Sequence, residues 1–136
     1  MITPDFMGKA FTTTWKVGLK EKRLQLVAIS DIGHFAAQAF INPEEYNGQG
    51  IGLAGDHLSF AEASKIFKDR TGQNMPTTFD FLAHLLLWAI GDLGVMFKWF
   101  NTEGYGVDVQ VLRKRHPGLL SFGDWLEKNT KFEMKK

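Results

Sequence analysis

The spacing of apolar and polar positions changes several times along the chain, and each change predicts an element. Between Ala10 and Val17, Phe11, Thr13, Trp15 and Val17 fall on one face, with Thr12, Thr14 and Lys16 on the other. This period of two, rich in β-branched and aromatic residues, predicts a strand over 10–17. A helix beginning at Pro4 competes, because Phe6, Met7, Ala10, Phe11 and Trp15 also fit a helical stripe. The threonines are poor helix formers and favour the strand. After the polar stretch Gly18 to Arg23, Leu24 to Ile29 reads as a half-buried strand. Ser30 and Asp31 are good N-caps, and Ile32, Phe35, Ala36, Ala39 and Phe40 repeat at helical spacing. Asn42-Pro43 stops that helix and Asn47-Gly48 makes a turn.

Gly50 to Gly55 alternates, with Ile51 and Leu53 pointing one way, and predicts a further strand. Ser59-Phe60-Ala61-Glu62 is a capping box, opening a helix that runs to about Thr71 and closes at Gly72. Thr77 and Thr78 precede the longest helical pattern, from Phe79 to Phe100, which Gly91 and Gly94 bend or break. Its apolar run Phe81 to Gly91 is interrupted by His84 and followed at once by Asp92. A membrane span needs about 20 residues, so the run reads as a buried helix. Gly104-Tyr105-Gly106 is a loop, Asp108 caps a helix ending before Pro117-Gly118, and Ser121 with Asp124 opens the last helix. The predicted order is strand, strand, helix, strand and four helices, with no repeat and no linker.

Length and composition then narrow the class. The 136 residues, 44% hydrophobic and 23% charged, make one globular domain. A formal net charge of +1 gives no global field for nucleic acid or anionic lipid. With no cysteine, disulfides, thiol catalysis and Cys-ligated zinc are excluded. No basic start or apolar stretch of signal-peptide length follows Met1, and the expected location is cytoplasmic, with the nucleus as the other option.

Several residues invite chemistry. Gly50-Ile51-Gly52-Leu53-Ala54-Gly55 matches G-x-G-x-x-G. A dinucleotide cradle needs a strand leading in and a helix leaving, so that pyrophosphate meets free amides. Here Pro43 to Gln49 is polar and turn-like, and the next helix waits until Ser59, so the segment reads as a glycine-rich strand. The histidines His34, His57, His84 and His116 have neither metal-ligand spacing nor thiolate company, and no metal is expected. Asp31 and His34 could touch across one helical turn, although Asp31 is more simply an N-cap. Arg113-Lys114-Arg115-His116, with Lys131, Lys135 and Lys136, is the sharpest basic feature. Cations late in a helix suit its dipole, so nucleic-acid contact is not expected. Phe97, Trp99, Phe100 and Tyr105 flank Lys98, so some of them must be exposed, and they are candidates for a partner face.

The order of motifs resembles the C-terminal part of the NmrA-like family. The resemblance runs from Thr3-Pro4-Asp5-Phe6-Met7-Gly8-Lys9 through Leu24-Gln25-Leu26-Val27 into Ser30-Asp31-Ile32-Gly33. It continues in Asn42-Pro43-Glu44-Glu45-Tyr46-Asn47-Gly48, in Leu53-Ala54-Gly55-Asp56 and in Asp92 to Phe100. It ends in His116-Pro117-Gly118-Leu119-Leu120 with Asp124-Trp125-Leu126-Glu127.

That resemblance implies an α/β fold: the smaller, C-terminal portion of a Rossmann-type protein, with two or three short strands and about five helices. Residues 1–136 would form a single partial domain without the dinucleotide-binding half. NmrA-like proteins are atypical short-chain dehydrogenase relatives that bind NAD(P), and many act as redox-sensing regulators through protein partners. The family fingerprint precedes everything that resembles this chain, so no cofactor-binding residue carries over and no cofactor is expected for the chain alone. No catalytic residue is expected either. Phe6, Met7 and Asp31 are the candidates for a substrate-cleft wall. The expected partner is a protein or the absent Rossmann half, with no nucleic acid and no membrane. The rival functions are a substrate wall for an NAD(P)H-dependent reductase and a truncated product without separate activity. Too few strands and bare apolar faces imply a marginal or self-associating chain.

Overall fold

The computed structural model describes residues 2–129 and Phe132; Lys131, Lys135 and Lys136 lie outside the described residues. Among the described residues the chain forms eight helices and one two-stranded sheet. The helices are α1 (Phe6–Leu19), α2 (Ile29–Ile41), α3 (Pro43–Tyr46), α4 (Phe60–Thr71), α5 (Asp80–Ala89), α6 (Gly91–Thr102), α7 (Val109–Arg115) and α8 (Phe122–Asn129). The strands β1 (Arg23–Leu26) and β2 (Asp56–Ser59) pair antiparallel, with Leu24 opposite Leu58 and Gln25 opposite His57. The fold is mixed α/β, with more helix than the sequence pattern predicts.

The first correction is α1, where the strand over 10–17 was expected. Asp5 caps the helix by accepting from the Gly8 amide at 2.8 Å. The threonine hydroxyls are satisfied inside the helix: Thr13 donates to the Lys9 carbonyl at 2.7 Å and Thr14 to the Ala10 carbonyl at 2.8 Å. The Thr12 hydroxyl sits among the carbonyls of Gly8, Lys9 and Pro76, while Thr13 Oγ1 also accepts from the Thr78 amide at 2.8 Å. The threonines therefore fasten α1 to the segment before α5, and this tertiary gain outweighs their weak helix propensity.

α1 is the centre of the main core. Trp15 and Leu19 are fully buried with Phe67 and Leu126, and Leu24, Phe97 and Phe122 join them. α4 reaches this core with its ends closed as predicted. Ser59 and Glu62 form a reciprocal capping box, and Gly72 at φ 73° ends the helix in the left-handed region that favours glycine. α8 opens on a similar exchange, with the Asp124 amide donating to Ser121 Oγ and the Ser121 amide donating to Asp124 Oδ2, both at 3.2 Å. Its last turn and α4's are tied by the ion pair of Arg70 with Glu127.

A smaller core lies apart, made of Phe35, Leu112 and Leu119 with Ile51, Leu53, Val107 and Val109. The second correction falls here. Gly50 to Gly55 belongs to no strand, and β2 starts only at Asp56. The alternation was real, since Ile51 and Leu53 face this core, but the ladder reaches only as far as the Gly55 amide, which donates to the Leu26 carbonyl at 2.7 Å.

The long helical pattern breaks at Ile90 into α5 and α6, bent by 106°. A side chain at Gly94 would meet the Leu87 carbonyl oxygen at 2.6 Å, so glycine permits the close return of α6 on α5. The expectation of a buried helix fails: only Ala83 of α5 is buried, and Phe81, Leu85 and Trp88 face outwards. Among the described residues no single helix is long and apolar enough to cross a membrane.

Candidate functional site

The most distinctive polar cluster is assembled by α2 and the end of α7. α2 begins at Ile29 with Ala28 as its N-cap, two residues before a Ser30 cap and three before an Asp31 cap would place it. Asp31 is therefore freed from capping and turns inwards, 3% exposed. Its Oδ2 accepts from the Leu120 amide at 3.0 Å, and its Oδ1 lies 3.6 Å from His116 Nε2. That second spacing suits an ion pair with a protonated ring and is too long for a hydrogen bond.

His116 is placed by the end of α7, where its amide donates to the Leu112 carbonyl at 2.8 Å. The Pro117-Gly118 reversal, closed by the Leu119 amide donating to the His116 carbonyl at 2.9 Å, carries Leu120 onto Asp31. Arg113 fixes the same loop through the carbonyls of Gly55 at 2.9 Å and Leu119 at 3.3 Å. On the other side His34, one turn beyond Asp31, stacks on His116 with centroids 3.7 Å apart and planes 13° from parallel. Phe35 stands edge-on to both rings. The pair lines a cavity of about 370 Å³ with Gln38, Glu45, Tyr46 and Arg115. A buried carboxylate thus faces one imidazole and a second imidazole stacks on the first; the near-parallel rings direct no N–H at each other, so the stack is a packing contact that places both rings on the cavity wall.

The sequence singled out Asp31 and its neighbour His34, but the contact the structure makes is with His116. His116 comes from the far end of the chain and carried no local signal beyond its place in a basic run. Phe6 and Met7 lie exposed on the first turn of α1 and share no described contact with Asp31. The proposed cleft residues are thus not brought together as one wall.

The aromatic set divides as well. Phe97 is 3% exposed and belongs to the main core, so it is removed from the partner face. Trp99, Phe100 and Tyr105 do form one group, with Trp99 and Tyr105 edge-to-face at 5.0 Å and Phe100 and Tyr105 at 5.6 Å. Phe100 and Tyr105 border a second cleft of about 410 Å³, closed on its other side by Arg23 to Gln25 and His57. The Gln25 side-chain amide holds the far rim by donating to the Val107 carbonyl at 2.7 Å and accepting from its amide at 3.1 Å. Among the described residues no group of three or more His, Cys, Asp or Glu could hold a metal ion.

Two carboxylates on the capping boxes are displaced from their ordinary ionisation. Glu62 is held below the usual carboxylate range, first by the Ser59 amide and then by the Ser59 hydroxyl, with Arg23 adding to both. Asp124 is lowered first by the Ser121 hydroxyl and then by its amide. Both shifts belong to helix capping and not to the histidine cluster.

A small mixed α/β body with a two-stranded sheet, a buried DIG aspartate at the start of α2 and a glycine-rich approach to β2 defines a class. The chain belongs to the NmrA-like family, whose model matches residues 2–126. The family is generally NAD(P)-binding. The glycine-rich segment of this chain does not fit that cofactor. A side chain at Gly52 would meet Val107 Cγ2 at 2.6 Å, and one at Gly55 would collide with the Leu120 carbonyl oxygen. These glycines serve close packing against the chain itself. The residues following them form β2, with α4 starting only at Phe60, so no helix end stands behind them to receive pyrophosphate.

Proposed function

We propose that this chain is the C-terminal, partner-binding portion of an NAD(P)-linked NmrA-like regulatory protein and performs no catalysis alone. The observation that supports this reading is the corner made by α5 and α6. Phe79, Phe81, Leu85, Trp88, Ile90, Val95 and Met96 are exposed there, Trp88 to 81%, and the Trp99–Tyr105 group continues the surface. Exposed apolar surface of this extent marks a docking face. Trp and Tyr are the residue types that carry most binding energy at such faces. The partner is a protein body supplying the dinucleotide-binding half of the family.

The test supplies that half in trans, as the nucleotide-binding portion of an NmrA-like protein. Sedimentation of the mixture should show a complex, and Trp88→Glu should weaken it at least tenfold while leaving the helical spectrum unchanged. A mixture that sediments as separate species would contradict the proposal.

One observation favours a second reading. The cavity beside His34 and His116 offers a proton donor, so the chain would then be the substrate-side portion of an NAD(P)H-dependent reductase. In that case the reconstituted mixture would consume NADPH with a carbonyl substrate, and His116→Ala would abolish turnover without dissolving the complex.

A further inference from the structure

The Asn47-Gly48 turn, between α3 and the glycine-rich segment, has no part in the sites described above. It is a tight reversal: the Gln49 amide donates to the Tyr46 carbonyl at 3.1 Å, with Asn47 at φ −61°, ψ 129° and Gly48 at φ 73°. These angles fit a type II turn, whose second central position favours glycine. Asn47, Gly48 and Gln49 are all exposed. The peptide joining the two central residues stands outside the closing hydrogen bond. Accordingly, neither the Gly48 amide nor the Asn47 side chain makes a hydrogen bond among the described residues. Nothing lies within 4 Å of the position a side chain at Gly48 would take, so the space around this peptide is open. We propose that Asn47 is a site of spontaneous deamidation, with water as the co-reactant.

The Gly48 nitrogen attacks Cγ of Asn47, a C–N bond closes a succinimide ring, and ammonia leaves with the proton that Gly48 gives up. Water then opens the ring at either carbonyl, which restores the N–H and leaves aspartate or isoaspartate; nothing is oxidised or reduced. The attack requires the central peptide to rotate towards the side chain, and glycine accepts φ of either sign, so the rotation meets little resistance. The other asparagines each lack a requirement. Asn42 precedes Pro43, which has no amide N–H. Asn74 precedes Met75, which is 6% exposed and anchored in the main core. Asn101 lies within α6 and donates its side-chain amide to the carbonyls of Gly18 at 2.7 Å and Phe97 at 2.9 Å. Asn129, like Asn101, precedes a β-branched threonine that crowds the attacking nitrogen. The product adds a negative charge directly after Glu44 and Glu45, where Glu45 and Tyr46 line the cavity with Arg115. Isoaspartate also diverts the main chain through the former side chain, lengthening the turn that leads to Ile51 and Leu53 of the smaller core.

The test is incubation of the full chain in neutral buffer at physiological temperature, followed by isoelectric focusing and mass mapping of its peptides. A free peptide of residues 44–51, incubated alongside, sets the time over which this dipeptide reacts. Within that time a more acidic species of the full chain should accumulate, with the amide-to-acid mass change confined to the fragment that holds Asn47. Part of that species should accept methyl groups from an isoaspartate-specific methyltransferase. Asn47→Gln, whose ring would be one atom larger, should remain a single species, and Asn47→Asp should focus with the aged wild-type chain. The mapping of wild-type protein needs no variant. A full chain that keeps its Asn47 amide while the peptide converts, or a mass change that falls on Asn74 or Asn101 instead, would overturn the proposal.

Discussion

α1 and α2 have nearly equal lengths and opposite fates. α1 is crowded with threonines, yet it buries Thr12, Thr13 and Thr14 along with Trp15 and Leu19. α2 is the more apolar helix, with Ile, Ala and Phe along its length, yet it buries only Asp31 and Phe35. Burial here follows position in the fold, not the hydrophobicity of the helix. A poor helix former is stabilised because its hydroxyls find carbonyl partners inside and outside the helix. A good amphipathic helix keeps an apolar side in solvent because the isolated chain offers nothing to cover it. Such a face is more economically explained as a contact surface than as a packing fault.

The contrast can be broken most sharply in the α1 core. Trp15→Ala should destabilise the chain by about 3–5 kcal/mol in urea unfolding, whereas Phe40→Ala at low protein concentration should change stability by less than about 0.5 kcal/mol. Trp15→Phe should cost less than Trp15→Ala, because Trp15 Nε1 is buried without a hydrogen-bond partner among the described residues and Phe removes that polar atom.

The next effect sharpens what α2 contributes on its inner side. Asp31→Ala leaves the Leu120 amide without its acceptor and should cost about 1–3 kcal/mol, and Asp31→Asn should recover part of it by keeping an acceptor oxygen. Thr13→Val tests the fastening of α1 to the segment before α5. It removes the acceptor of the Thr78 amide and should cost about 1 kcal/mol, seen as a lower urea midpoint.

The smallest effect is the pH dependence of the capping boxes. Glu62 and Asp124 hold their protons more weakly in the folded chain than in the unfolded one. The unfolded state therefore takes up protons first as pH falls, so this stabilisation is present at neutral pH and is lost below about pH 4. Thermal unfolding across that range should show the decline, and Ser59→Ala combined with Ser121→Ala should flatten it.

What could be read from the sequence was local. Ser59 with Glu62, Ser121 with Asp124, Gly72, Asp108 and Asn42-Pro43 each act within one helical turn, and the structure places each at the predicted helix end. Asp31 was legible as a notable residue but not in its role, because His116 and Leu120 reach it from the opposite end of the chain. α1 was misread because period two and period 3.6 overlap in a short window, and the partners that decide between them are Pro76 and Thr78. The alternation of Gly50 to Gly55 suggests a strand that the structure does not form, since nothing in the segment reveals whether a neighbouring strand is there to pair with it. Phe97 looked like surface from its neighbours Lys98 and Trp99, and only the packing of α6 on α1 turns it inwards.

Docking body and nucleotide binder are opposite descriptions of this chain, and calorimetric titration with NADPH separates them most directly. The account predicts no saturable heat from the chain alone at any concentration of nucleotide up to about 1 mM. Saturable micromolar binding, weakened by substituting Gly52 or Gly55 in a chain that remains folded, would contradict it.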